Sequence, residues 1–149
     1  MAESNDFMSP EAALVEALET VPALRGRISA IQPPAKGSPP FCFYIPTADA
    51  VEEELAGPTE LRSWGATVHL VAAGANALYA LCALARQAVD NMRGSVYGEA
   101  GNRILVERSR MEQISPDLYE AEVGLFRRMY TVSLDLQAEA DNQQEVISG

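Results

Sequence analysis

Residues that carry chemistry are scarce in this chain: its 149 residues include one histidine, two cysteines and one tryptophan. A lone histidine leaves no second imidazole for a metal site and no evident partner for acid–base work. His69 sits in an alternating stretch beside Thr67 and Val71, with no acid close to it in sequence, and reads as a structural or exposed imidazole. Cys42 and Cys82 lie in apolar runs without CxxC spacing and read as buried free thiols. One histidine and two distant cysteines give no zinc spacing, so no metal and no cofactor is expected. Aromatic residues make up only 7%, so the core must rest on Leu, Val, Ile and Ala. Positive charge is also short. The 11 bases face 21 acids for a net charge of −10, which disfavours loose attachment to nucleic-acid phosphates. No basic segment followed by an apolar run opens the chain, so the expectation is folding in a reducing cytosol. Between Arg62 and Arg86 formal charge is missing altogether. That run includes Ser63, Gly65, Thr67, His69, Gly74 and Asn76 and changes period partway, which predicts a strand followed by a helix and not a membrane span.

What is present is an ordinary apolar share of 48% on a length suited to one domain. Ser9-Pro10-Glu11 is a helix start: Ser9 can cap the free amides, Pro10 suits the first turn, and Glu11 favours the positive end of the dipole. Leu14, Val15, Leu18 and Val21 form its apolar stripe, and Pro22 ends it. A short strand is predicted at Ile28–Ile31. Pro33, Pro34, Gly37, Pro39 and Pro40 then impose an exposed extended loop. Phe41–Ile45 is a compact strand closed by Pro46, and Thr47–Pro58, with Glu52, Glu53 and Glu54, reads as a mobile acidic loop. From Glu60 to Val71 residues alternate, with Trp64, Ala66, Val68 and Leu70 on the better core face.

Leu78, Leu81, Cys82, Ala85, Val89 and Met92 follow helical spacing over 76–92, and Ala77, Ala80, Leu84 and Ala88 line a second, small-residue face of that helix. Arg103–Ile114 reads as a strand in which charged residues interleave with Ile104, Val106 and Met111. Ser115-Pro116-Asp117 turns the chain, and 119–136 is the longest β-prone stretch. The predicted fold is α+β: one mostly antiparallel sheet with two helices packed on one face, in the order α-β-β-β-α-β-β. A single domain spans 1–136 with residues 1–8 frayed, and 137–149 is a flexible acidic tail.

No nucleophile elbow, phosphate loop or dinucleotide fingerprint is present. Gly94, Gly98 and Gly101 follow a helix instead of opening one. Glu52–Glu54 reads as a solvated face, and nothing around Glu120 and Glu122 argues for the desolvation that paired catalytic carboxylates need. The chain is expected not to be an enzyme. Its sharpest positive feature is charge layout: eight arginines lie between Arg62 and Arg128, while acids crowd both ends. Arg103, Arg108, Arg110, Arg127 and Arg128 are therefore candidate interface residues, opposite the acids Glu52, Glu53 and Glu54. The helix face Ala77, Ala80, Leu84 and Ala88 is a candidate for close approach.

A capped first helix ending in Leu24-Arg25-Gly26-Arg27-Ile28 leads to the Pro-rich segment and Pro40–Ile45. The strand Arg62–Leu70, the helix Ala77–Met92 and the closing Arg128-Met129-Tyr130-Thr131-Val132-Ser133-Leu134 follow. This layout, from about Ser9 to Leu136, resembles the tail terminator (tail completion) proteins of long-tailed bacteriophages. The resemblance implies a structural virion protein of the tail–neck region, assembled in the host cytoplasm. It would form a homo-hexameric ring that caps the tail tube, contacts the tail tube protein and a head–tail connector or neck protein, and lets DNA pass through its lumen without specific binding. A different neck or head-completion subunit and a small nucleic-acid-associated adaptor are the alternatives.

Overall fold

In the computed structural model, residues 9–33, 38–53, 60–99 and 103–138 are described, with the side chains of 48–53, 60–61 and 138 left aside. The first helix, α1 (Pro10–Leu18), begins where the sequence signals it: the Ser9 hydroxyl accepts from the Ala12 amide at 3.1 Å. Its stripe buries Leu14 and Leu18, and a single 3-10 turn at Pro22–Leu24 carries Val21 and Leu24 into the same core. Strand β1 (Ile28–Ala30) runs parallel to β2 (Phe41–Glu53), and β2 pairs antiparallel with β3 (Glu60–Ala72). After α2 (Ala75–Asp90) come β4 (Val96–Tyr97), β5 (Ile104–Gln113), β6 (Leu118–Glu120) and β7 (Leu125–Ala138).

These make an α+β fold with two α-helices and a seven-stranded, mostly antiparallel sheet in the order β1-β2-β3-β7-β5-β4, with β6 also paired to β7. β7 is central because its length lets it pair β3 along one side and β5, then β6, along the other. α2 lies on β3, β7 and β5, and α1 packs against α2. The helix residues predicted from spacing, Leu78, Leu81, Cys82, Ala85, Val89 and Met92, are all buried. They meet Trp64, Ala66, Val68 and Leu70 of β3 and Tyr130, Val132, Leu134 and Leu136 of β7 in one core. The opposite face of the sheet holds a smaller cluster of Phe41, Phe43 and Val71, with Leu125 packed against it. Gly94 follows α2 at φ 81°, a left-handed conformation costly for other residues, and its amide donates to the Val106 carbonyl at 2.7 Å.

Several expectations need correction. Pro46 does not close β2. The strand runs on to Glu53, and the register shifts between Pro46 and Ala48, where an irregularity lets the ladder pass a residue that has no amide to donate. The supposed acidic loop at 47–58 is therefore strand as far as Glu53, and its remainder lies outside the described residues. The stretch 119–136 is not continuous. It divides into β6 and β7 at a turn where Gly124 (φ 68°) donates to the Glu120 carbonyl at 2.8 Å, so Glu122 falls in the turn and shares no strand face with Glu120. The two-residue β4 was not anticipated, because so short a piece has no period to read. β7 continues through Ala138, two residues beyond the expected domain boundary, while 1–8 and 139–149 lie outside the described residues. No described helix is long and apolar enough to cross a membrane.

Candidate assembly surface

β5 lies toward one side of the sheet, and its residue parity decides what it exposes. Ile104 and Val106 are buried at even positions, whereas Ser109 and Met111 are buried at odd ones. A register shift between Val106 and Arg108 accommodates this change, with Glu107 as the extra residue of a bulge. Beyond the bulge Arg108, Arg110 and Glu112 stand opposite Asp135, Ser133 and Thr131 of β7 and are exposed. β4 covers β5 only at Ile104 and Leu105, and the last contact at this edge is the Val106 amide donating to the Ser95 carbonyl at 2.9 Å. Among the described residues, the outer edge of β5 from Glu107 to Gln113 has no neighbouring strand.

At this edge is an open recess of about 570 Å³ lined by Arg93, Glu107, Arg108, Ser109, Arg110, Ser133 and Asp135. Arg108 is 82% exposed along its side chain, 4.0 Å from an Asp135 carboxylate that also accepts from the Ser63 hydroxyl at 3.1 Å. Arg93 and Arg110 make no ion pair with a described residue. Ser109 occupies a core position at 4% exposure, and its hydroxyl has no hydrogen-bond partner among the described residues. A buried, unpaired hydroxyl costs roughly 1–3 kcal/mol. Neither Arg93 nor Ser109 was singled out from the sequence. The parity change within β5 was the legible signal for Ser109, while Arg93 arrives only because the turn after α2 folds back to this edge.

The other candidate arginines are placed differently. Arg128 lies on the helix-facing side of β7, where its Nε donates to Asp117 at 2.6 Å and its Nη1 to the buried Tyr130 hydroxyl at 3.1 Å. The guanidinium holds the Asp117 carboxyl below its ordinary range. Arg127 is on the opposite face. Its Nη2 meets Glu120 at 2.8 Å and its Nη1 lies 3.2 Å from His69 Nδ1, an arrangement that requires a neutral, accepting Nδ1 because arginine only donates. The His69 ring stacks on Phe43 at 4.3 Å and 10°, and burial, followed by the nearby Arg127 charge, lowers its pKa. These two arginines join β6 and its turn to the sheet. Arg103 is exposed just before β5 and has interactions of its own.

Glu52 and Glu53 occupy the end of β2, in register with Leu61 and Glu60, while Glu54 lies outside the described residues. On α2, Ala77 and Ala80 are exposed, Leu84 is 47% and neighbouring Tyr79 69% exposed, whereas Ala88 is buried. The small-residue face is thus open along its first three positions and closed at the fourth. Among the described residues no three metal-ligating side chains converge.

No protein-family model and no curated protein matches the chain. Among solved structures, a chain of a particle described as "Virion of native gene transfer agent (GTA) particle" is similar at 15% sequence identity and a TM-score of 0.48, over 87% of this chain and 95% of that one.

Proposed function

We propose that this chain is a structural subunit of a phage-like virion, and that it closes the tail tube as a ring of about six copies, ending tube polymerisation and offering the surface that the head then joins. The observation that carries the reading is a sheet left open on both sides. The outer edge of β2 beyond Ile45 and that of β5 beyond Val106 have no partner among the described residues. Exposed strand edges invite further strands, and stable monomers usually cover, shorten or bend them. The two edges differ in sequence, so joining one to the other is a heterologous contact, which closes into a ring when the rotation per subunit divides a full turn. The exposed apolar start of α2 adds a second unfilled surface. The chain-wide element layout that resembles tail terminators supplies the place where such a ring would act.

Polymerising a phage tail tube protein with and without this chain tests the reading by negative-stain imaging. The expected result is shorter tubes bearing a ring at one end. Tubes of unchanged length with both ends bare would rule the reading out.

A further inference from the structure

Strand β6 is held to the fold by few contacts. Its three residues pair with β7 and, among the described residues, with no other strand, and the turn after it, residues 121–124, is exposed. One side-chain clamp on each face of the sheet adds to those pairs. On the helix-facing side Arg128 holds Asp117, just ahead of β6. On the other side Arg127 holds Glu120, the last residue of β6, and the same guanidinium leans on His69 of β3. The clamps differ in what they rest on. Asp117 titrates below the ordinary carboxyl value of 3.8, so mild acid leaves the first clamp intact. The second rests on an imidazole.

His69 is 7% exposed. From β2 it meets the uncharged ring of Phe43, in register and stacked; from β7 it meets Arg127, with Met129 in register; and from β6 the Glu120 carboxylate acts on it. Arg127 and Glu120 are the charged groups that bear on it. Arg127 reaches its two partners through its Nη atoms, while its buried Nε has no hydrogen-bond partner among the described residues. A protonated Nδ1 donates, and arginine has no lone pair to accept, so proton uptake replaces the contact by like charges 3.2 Å apart. Glu120 then faces two cations with one carboxylate.

We propose that His69, Arg127 and Glu120 form a proton-operated latch: with a neutral imidazole Arg127 ties β6 and its turn to the sheet, and proton uptake by His69 releases the hairpin. The inference goes beyond the ring reading and does not rest on it. Burial, followed by the Arg127 charge that Glu120 helps to hold in place, keeps the imidazole neutral in the closed arrangement. Opening releases Arg127, so the open hairpin binds the proton more tightly and, by linkage, the proton favours the open hairpin. Because the closed value is depressed, the latch is intact above the ordinary 6.5 and weakens as pH falls below it. Release uncovers the edge of β7 over Leu125–Arg127, which β6 otherwise pairs.

Hydrogen exchange of the full chain, read by mass spectrometry and corrected for the intrinsic pH dependence of exchange, tests the latch. Residues 118–124 should be less protected than β3 at every pH, the sign that they exchange by local opening. Between pH 7 and pH 5 their protection should fall by at least about threefold. His69→Gln, which accepts from Arg127 at every pH, should abolish that fall. Asp117→Asn should lower protection of the same segment at both pH values and leave its pH dependence in place. Protection equal to that of β3, wild-type protection that does not fall, a fall of the same size in His69→Gln, or a pH dependence lost in Asp117→Asn each overturn the latch. Should His69→Gln fail to fold, the wild-type profile decides. A loss that sets in below pH 6.5 sustains the latch, and one that waits for the carboxyl range near 3.8 overturns it. Tube capping is not read by this experiment, so the latch and the ring reading fail separately.

Discussion

Single residues show how burial sets reactivity here. The Cys42 thiol is pushed up to about 12 by complete burial, and Cys82 is raised for the same main reason, although the Tyr130 hydroxyl and Arg128 beside it pull the other way. Because the thiolate is the reactive form, both thiols should resist alkylation in the folded protein and react together on denaturation. Timed labelling read by mass spectrometry checks this, and fast native labelling of either thiol would contradict the burial. His69 sets a pH limit. Its folded pKa is depressed, so above the ordinary 6.5 neither state binds the proton and nothing is lost. As pH falls below that value the unfolded chain takes up the proton first, and stability declines until the folded pKa is passed. Asp117, whose folded pKa is also depressed, contributes stability above its ordinary 3.8 that disappears only at more acid pH. Urea midpoints between pH 5 and 7 should therefore slope upward in wild type and flatten in His69→Gln, which keeps an acceptor for Arg127 but cannot titrate. An equal slope in both proteins would remove His69 as the cause.

At the scale of elements, β7 is the support of the sheet. Leu134 is fully buried between the helices and its strand neighbours. Leu134→Ala should cost about 2–5 kcal/mol, measured by chemical denaturation, with no change in the far-ultraviolet spectrum under native conditions. The N-cap of α1 contributes less. Ser9→Ala removes one hydrogen bond at an exposed helix end and should cost about 1 kcal/mol. Both helices were legible because their apolar spacing agrees with the faces they bury, and α1 also because Ser9 caps it. β3 was legible from alternation, down to which face enters the core, and β7 as a β-prone stretch. The misreadings share a physical cause: proline at Pro46 and a glycine turn at Gly124 act on the ladder, and the ladder depends on the partner strand. A bulge carried β2 past its proline, and a tight turn divided the last β-prone stretch.

For the whole molecule, the consequence is an acidic domain whose sheet, among the described residues, has two dissimilar open edges, and the proposed ring follows from joining them.

The amino-acid order by itself determined the α+β class, the main elements, the core faces of α2 and β3, the buried thiols and the uneven charge, because each depends on local period or composition. The tertiary structure alone decided which of these arginines are held within the fold and which stand exposed at a strand edge. Arg127 and Arg128 are adjacent in the chain, yet alternation sends them to opposite faces, where Glu120 and Asp117 hold them. Arg108 and Arg110 differ because the bulge and the short β4 leave their strand edge uncovered.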